Sequence, residues 1–186
     1  MNNAAAREGT LLLCVDMQPV FVRAVADGAA VLGRCRFAVA AAQGLGIAVA
    51  FTEQVPGKLG GTDPSLLALV RSPEIHAKSE FSALGPGSAV LAAAAARGVS
   101  HVLVCGVETP VCVFQTAMDA LRAGLAATIL SDCVGARRSA DAAACLDLLS
   151  RSGARVMPSE TLFYGLLEDA KHPFFREFTE LVKKHG

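Results

Sequence analysis

The sequence predicts an α/β protein with three layers, in which a six-stranded parallel sheet has helices on both faces. Six short predicted strands alternate with helical patterns along the chain, which is typical of a parallel sheet. The first run, Thr10–Val15, is continuously apolar, as expected for a strand that is covered on both faces. A chain of 186 residues that is 53% hydrophobic also suits one domain with a large core.

The strands and helices follow one another in the order that such a sheet requires. We expect strands at Thr10–Val15, Ile47–Thr52, Glu74–Lys78, His101–Cys105, Leu125–Ser131 and Ala154–Met157. We expect helices at Ala29–Leu45, Asp63–Val70, Pro86–Gly98, a segment that begins near Pro110, Ser139–Ser152, Glu160–Leu167 and Pro173–Lys184. No linker, repeat or low-complexity tract interrupts this order. One domain is therefore predicted over residues 1–186, with residues 1–9 as a flexible tail.

The composition argues against several classes of function. Lysine plus arginine and aspartate plus glutamate both number 17, so no basic field would attract nucleic acid. No apolar stretch approaches the roughly 18 residues that cross a bilayer, and no export signal is visible, so we expect a cytoplasmic protein without a membrane partner. The four histidines are scattered and no Cys-x-x-Cys pair occurs, so neither a metal nor another cofactor is expected. Five of the six cysteines are interpreted as structural thiols: Cys14, Cys35, Cys105, Cys133 and Cys145.

The sixth cysteine, Cys112, follows a strand at the start of a predicted helix. Thr109 is expected to cap this helix and Pro110 fits its first turn, which places Cys112 at about the third helical position. Unsatisfied N–H groups and the positive end of the helix dipole are expected there to lower the thiol pKa and favour the reactive thiolate. Cys112 lies about half a turn from the apolar stripe of Phe114, Ala117, Met118 and Leu121, so packing does not require it. The alternative interpretation is a small core residue.

Two charged residues follow other strands of the predicted sheet. Asp16 comes directly after the first strand and Lys78 ends the third, and the carboxyl ends of parallel strands meet at one edge of the sheet. A carboxylate can take the thiol proton, and an ammonium can stabilise the thiolate, which then attacks a carbonyl carbon. Backbone N–H groups at the turn before Cys112 can receive the oxyanion. The alternatives are that Asp16 only caps the next turn and that Lys78 is an ordinary solvated surface residue.

Three motifs carry a family resemblance that runs from about Thr10 to the C-terminus. They are Asp16-Met17-Gln18, Lys78-Ser79-Glu80-Phe81-Ser82 and Gly106-Val107-Glu108-Thr109-Pro110-Val111-Cys112-Val113. In this order they resemble the isochorismatase-like cysteine hydrolases, which include nicotinamidases, N-carbamoylsarcosine amidases and isochorismatases. Thr52-Glu53-Gln54 and the segment from Ser159 to Pro173 resemble in particular the isochorismatase-domain-containing proteins of unassigned substrate.

The resemblance implies a strand order of 3-2-1-4-5-6 and an Asp16–Lys78–Cys112 triad. It also implies an oxyanion hole built from the backbone N–H groups of Glu108 and Cys112, with a cis peptide bond between Val107 and Glu108. The relatives assemble as dimers or larger homo-oligomers, which we expect here too. The substrate pocket would be lined by Gln18, Phe21, Gln54 and Phe81, although both phenylalanines also suit the core.

The chain departs from the nicotinamidases at their metal site. Where those enzymes carry an Asp-x-His pair, this chain reads Glu53-Gln54-Val55-Pro56, and no histidine occurs before His76. A metal-dependent nicotinamidase is therefore not expected. Pro110 stands where relatives often have a polar residue or histidine, which leaves the substrate open.

The leading hypothesis is a cysteine hydrolase that cleaves a small amide or related C–N bond in a small-molecule substrate. Asp16 would act as base and then acid, and Lys78 as electrostatic partner of the Cys112 nucleophile. A hydrolase of vinyl ethers, as in true isochorismatases, is one alternative, although some of those enzymes lack the cysteine. A non-catalytic binding or scaffold module and a redox-sensing thiol with a nearby resolving cysteine are the others.

Overall fold

The computed structural model describes residues 9–185, which contain six strands around which all the helices are arranged. The strands are β1 (Thr10–Val15), β2 (Ala48–Gln54), β3 (Glu74–Lys78), β4 (His101–Val107), β5 (Ala126–Gly135) and β6 (Arg155–Met157). The helices are α1 (Pro19–Val22), α2 (Gly28–Gly44), α3 (Pro56–Leu59), α4 (Pro64–Leu67), α5 (Ala89–Ala96), α6 (Phe114–Arg122), α7 (Ser139–Arg151), α8 (Ser159–Leu167) and α9 (Phe175–His185). A π-helical turn, Thr109–Val113, leads into α6. Of the tail predicted at residues 1–9, residues 1–8 lie outside the described part of the chain.

All strand pairs in the sheet are parallel, and the strand order is β3-β2-β1-β4-β5-β6. The predicted fold class and strand order are confirmed. β1 lies in the centre, where Val15 is level with Thr52 on one side and Gly106 on the other. All six residues of β1 are buried, because helices cover both faces of the sheet. The residues that follow β1 therefore emerge at the middle of the carboxyl edge of the sheet.

Apolar side chains fill both faces of the sheet. On one face, an aromatic cluster under α2, α8 and α9 includes Phe37, Phe163 and Phe178, with the Phe37 and Phe163 rings 5.9 Å apart at 82°. On the other face, Leu11, Leu13 and neighbouring side chains pack under α5 and α6. None of the helices within residues 9–185 has the length and apolar character needed to span a membrane.

Several element boundaries differ from the prediction. β5 continues to Gly135 instead of ending at Ser131, and its register against β4 shifts between Val104 and Gly106. The shift lets the strand carry the polar residues of its middle section, which the apolar pattern had interpreted as the strand end. The helix predicted at Pro86–Gly98 is limited to α5, whose N-terminus is capped by Ser88. Asp63 likewise caps α4, a single turn rather than the predicted Asp63–Val70.

Candidate active site

The three residues that the sequence suggested as a triad meet at the carboxyl edge of the sheet. The Lys78 ammonium lies 2.6 Å from Asp16 Oδ2. The Cys112 thiol lies near enough to the Asp16 carboxylate for that carboxylate to raise the thiol pKa. Asp16 is 1% exposed and Cys112 is 7% exposed. A carboxylate, an ammonium and a thiol are therefore brought together at a position that is largely shielded from solvent.

Asp16 is held by the strand next to it. Its backbone has φ of +51°, a left-handed conformation that is uncommon for a residue with a side chain. Its N–H donates to the Thr52 carbonyl at 3.1 Å, and the Thr52 hydroxyl donates to Asp16 Oδ1 at 2.7 Å. The left-handed turn thus directs the carboxylate along the sheet edge instead of into the following helix, and Asp16 does not act as the cap of α1.

Lys78 lies at the end of β3 and is surrounded by hydrogen-bond acceptors. Besides Asp16 Oδ2, its Nζ donates to Gln54 Oε1 at 2.6 Å and to the carbonyls of Glu80 and Phe81 at 3.2 and 3.1 Å. An ammonium has donors only, so this set of acceptors matches its charged form. The alternative of a solvated surface lysine does not hold, since the side chain is 7% exposed.

Cys112 lies in the π-helical turn and not in the ordinary capped N-terminus that we predicted. Thr109 does not cap: its Oγ1 is buried without a hydrogen-bond partner within the described residues, and Glu108, which precedes the turn, makes no side-chain cap either. Burial and the charge of the Asp16 carboxylate raise the pKa of Cys112 to about 12, although Lys78 and the Glu108 backbone act in the opposite direction. The prediction of a lowered thiol pKa was wrong, because burial and a neighbouring carboxylate outweigh the helix dipole. A pKa raised this far favours the neutral thiol next to the Asp16 carboxylate.

The segment before Cys112 directs backbone N–H groups toward the sulfur. The Val107–Glu108 peptide bond is cis, as the resemblance implied. The Glu108 backbone forms a hydrogen bond to the Cys112 sulfur. The Glu108 carboxylate turns away and pairs with Arg137, whose Nε lies 2.9 Å from Glu108 Oε2. This ion pair ties the turn to the residues that follow β5.

A cavity of about 270 Å³ opens onto the thiol. Its lining consists of Asp16, Phe21, Gln54, Phe81, Val107, Glu108, Val111, Cys112 and Arg137. Three of the four predicted pocket residues are among them, and Phe81 is not a core residue, since it is 54% exposed at the cavity mouth. The Gln54 amide contacts Lys78 through Oε1 and donates through Nε2 to the Ser79 carbonyl at 2.7 Å. Its side chain is therefore used in holding the lysine.

Gln18, the fourth predicted pocket residue, does not reach the cavity. It is fully buried, and its amide accepts from the Gln54 N–H at 2.7 Å and donates to the Gly60 carbonyl at 2.6 Å. It joins β2 to the glycine-rich loop that follows it. Conversely, the sequence analysis missed Arg137. The available signal was that Arg137 closely follows the carboxyl end of β5. The strand was predicted to end at Ser131 instead of Gly135, so Arg137 was not considered.

Four of the other five cysteines lie on the face of the sheet opposite to Cys112. Cys14, Cys35, Cys105 and Cys133 all belong to the cluster under α2, on the opposite face. All six cysteines carry free thiols, and Cys145 is partly exposed on α7. Within residues 9–185, no group of three or more histidine, cysteine, aspartate or glutamate side chains is arranged to hold a metal ion.

The six-stranded parallel sheet in this strand order is the fold of the isochorismatase-like hydrolases. The chain belongs to the isochorismatase domain family, whose model matches residues 10–161. It is 33% identical over 174 residues to isochorismatase domain-containing protein 1 of Salmo salar, and the alignment covers 94% of this chain. The chain spans 61% of the length of that relative. The predicted family is confirmed.

Two solved structures are similar to the whole fold. The MAR1 ribonuclease from Caenorhabditis elegans superimposes with a TM-score of 0.88 at 29% identity, covering 95% of this chain and 91% of that chain. The YcaC gene product of Escherichia coli, described as an octameric hydrolase of unknown specificity, gives a TM-score of 0.83. It is 19% identical, with 96% of this chain and 94% of that chain covered, and at that identity it supports the fold alone.

Proposed function

We propose that this protein is a cysteine hydrolase that cleaves a small amide or related C–N bond through a thioester on Cys112. One observation carries the proposal: the Cys112 thiol and the Asp16 carboxylate line the same cavity, and the carboxylate is 2.6 Å from a buried ammonium. These groups provide the nucleophile, the proton acceptor and the compensating charge that acyl transfer to sulfur requires.

The raised thiol pKa determines how the nucleophile would be activated. With a pKa of about 12, only a very small fraction of Cys112 is thiolate at neutral pH. Asp16 therefore takes the proton as the sulfur attacks the carbonyl carbon. It next gives this proton to the leaving amine as the C–N bond breaks. In the second half, a water molecule attacks the thioester and passes a proton to Asp16, which returns it to the departing sulfur.

Lys78 and the backbone of the turn would stabilise the charges that develop. The ammonium stays next to the carboxylate and compensates its charge between proton transfers. The N–H groups of Glu108 and Cys112 are our candidates for the oxyanion hole, because the Glu108 backbone already bonds to the Cys112 sulfur. These donors are fixed before the substrate binds, which is the arrangement that stabilises a tetrahedral intermediate most effectively.

The cavity limits the substrate to a small molecule. Its volume of about 270 Å³ is below the range of typical drug-sized sites, and Phe21, Phe81 and Val111 supply apolar walls. The Arg137–Glu108 pair provides polar groups at one side. A short amide or carbamoyl compound with an apolar portion suits these dimensions.

The decisive experiment compares Cys112→Ala with wild type on a panel of small amides and carbamoyl compounds. We expect turnover to fall at least about 10³-fold, while mass spectrometry of the wild type detects an acyl adduct on the Cys112 peptide. Cys145→Ala, which removes a partly exposed thiol on α7, is the matched control and keeps its activity. Undiminished turnover in Cys112→Ala would exclude the mechanism.

The same panel separates the alternatives. A vinyl ether tests the isochorismatase reaction, and an RNA oligonucleotide tests the activity named for the C. elegans structural neighbour. A scaffold module would give neither turnover nor an adduct with any compound. We also propose a homo-oligomer, as the family resemblance implies, and light scattering coupled to gel filtration measures it.

A further inference from the structure

A buried hydroxyl on β2 contacts the carboxylate of the proposed base. Thr52 is fully buried, and its Oγ1 donates to Asp16 Oδ1 at 2.7 Å, while Lys78 takes Oδ2 at 2.6 Å. The donor direction is settled by chemistry, because an ionised carboxylate only accepts. The two carboxylate oxygens are therefore held from two different strands, β2 and β3.

The sheet itself does not require this hydroxyl. Valine has the same β-branched shape as threonine and suits a buried strand as well or better. A hydroxyl without a partner in the core costs free energy, so the presence of this fully buried hydroxyl is explained by what it binds. Thr52 lies level with Val15 in the β1–β2 register, one residue before Asp16, where its side chain reaches the carboxylate.

The Thr52 hydroxyl restricts the Asp16 carboxylate more than the ion pair with Lys78 can on its own. An ammonium bonded to one oxygen leaves the carboxylate free to turn about its Cβ–Cγ bond, whereas donors on both oxygens fix its plane. The Asp16 N–H also points at Thr52, with the carbonyl at 3.1 Å and Oγ1 at 3.3 Å. Within residues 9–185, the titratable groups that contact this carboxylate are Lys78 from β3 and Cys112 from the π-helical turn.

We propose that Thr52 is a positioning residue, whose hydroxyl holds the Asp16 carboxylate in the orientation that exchanges a proton with the Cys112 sulfur. This inference rests on the proposed function, since it assigns Thr52 to the same proton transfer. The hydroxyl forms no bond to the substrate and its own proton stays on Oγ1. Its effect is on the geometry of Asp16 and on the ease with which that carboxylate takes up a proton.

Two substitutions at Thr52 and one control test the proposal by enzyme kinetics. Thr52→Val removes the hydroxyl and keeps the shape, Thr52→Ser keeps the hydroxyl, and Thr128→Val removes a buried hydroxyl on β5 that bonds to His101. We expect Thr52→Val to lower kcat at least about tenfold with KM within about twofold, and to move the acid limb of the pH–rate profile up by about one unit. Thr52→Ser regains most of kcat and the original profile, and Thr128→Val retains both.

An unchanged kcat and profile in Thr52→Val would overturn the proposal, as would a loss in Thr52→Ser equal to that in Thr52→Val. A second measurement is independent of turnover: the ¹³Cγ resonance of Asp16, assigned with Asp16→Asn, is followed against pH. Its transition moves to higher pH in Thr52→Val and stays in place in Thr52→Ser and Thr128→Val. A transition that stays in place in all three contradicts the proposal. If Cys112→Ala keeps full turnover, the proposed function fails, and this titration still decides the role of Thr52.

Discussion

Two groupings of carboxylate, cation and thiol within residues 9–185 lie in different surroundings, and the first of them lines a cavity. Asp16, Lys78 and Cys112 form the first. In the second, Asp132 on β5 lies 2.7 Å from Arg34 Nη2 on α2, and the Cys133 thiol lies 3.6 Å from Asp132 Oδ1. Residue types alone therefore do not separate a candidate catalytic site from a structural one.

The hydrogen-bond partners separate them. Asp132 Oδ1 accepts from the Ser159 N–H at 2.7 Å, and Oδ2 accepts from the Ser159 hydroxyl and from Arg34 Nε at 2.6 and 2.8 Å. Arg34 also donates to Glu160 and to the His185 carbonyl, so the second grouping joins α2, β5, α8 and α9. Every group there is used in holding elements together, and Cys133 is fully buried. This grouping is structural.

The first grouping differs in what remains available. The Asp16 carboxylate is held by Thr52 and Lys78, yet it still lines a cavity together with the Cys112 thiol. A proton can therefore move between sulfur and carboxylate with a substrate next to both. The comparison shows that a candidate reactive cysteine needs a cavity through which substrate reaches the sulfur, as well as a charged neighbour.

The largest effect is expected from neutralising the two carboxylates in turn. Asp16→Asn removes the proposed proton acceptor, so kcat/KM should fall about 10³-fold. Asp132→Asn should leave kcat/KM of the folded enzyme within about threefold. Both are measured on the substrate found with the amide panel, with the folded fraction determined by circular dichroism. Equal losses of activity in the two variants would remove the distinction between the groupings.

Asp132→Asn, which should leave activity nearly unchanged, should lower the stability of the fold. Asp132→Asn removes one of the two carboxylates that pair with Arg34, leaving Glu160, and replaces an acceptor with an N–H₂ group that faces donors, so the free energy of unfolding should fall by about 1–3 kcal/mol. Urea unfolding followed by circular dichroism measures this. Arg34→Met alone and combined with Asp132→Asn completes a double-mutant cycle, in which additive losses would contradict a direct coupling.

The sequence was sufficient for the sheet and for the members of the candidate triad. Continuous apolar runs identified the strands, and the ends of β1 and β3 placed Asp16 and Lys78 at one edge. Thr52 was missed because a single threonine at a strand end is also an ordinary β-strand residue. The available signal was that Thr52 follows the apolar run Ile47–Phe51 directly, as its first polar neighbour.

The electrostatics of Cys112 were not accessible from the sequence. The dipole argument needs only a position at the start of a helix, whereas burial and contact with Asp16 depend on distant elements. The π-helical geometry of Thr109–Val113 was equally hidden, because a threonine followed by proline suits an ordinary helix start. Arg137 came to the cavity through the register shift of β5, which no local pattern indicated.

The smallest effects concern the titration of the thiol, and they separate charge from catalysis. Asp16 raises the pKa of Cys112 and Lys78 lowers it. Asp16→Asn should therefore lower the thiol pKa from about 12 and speed alkylation by iodoacetamide at pH 9 by about tenfold, even though turnover is lost. Lys78→Met should slow the alkylation of Cys112.

Peptide mass spectrometry measures the rate of alkylation at Cys112 specifically. Cys133 in the same sample is the internal control, because it is fully buried and stays unmodified in the folded protein. Slower alkylation in Asp16→Asn would mean that the carboxylate activates the resting thiol instead of holding its proton.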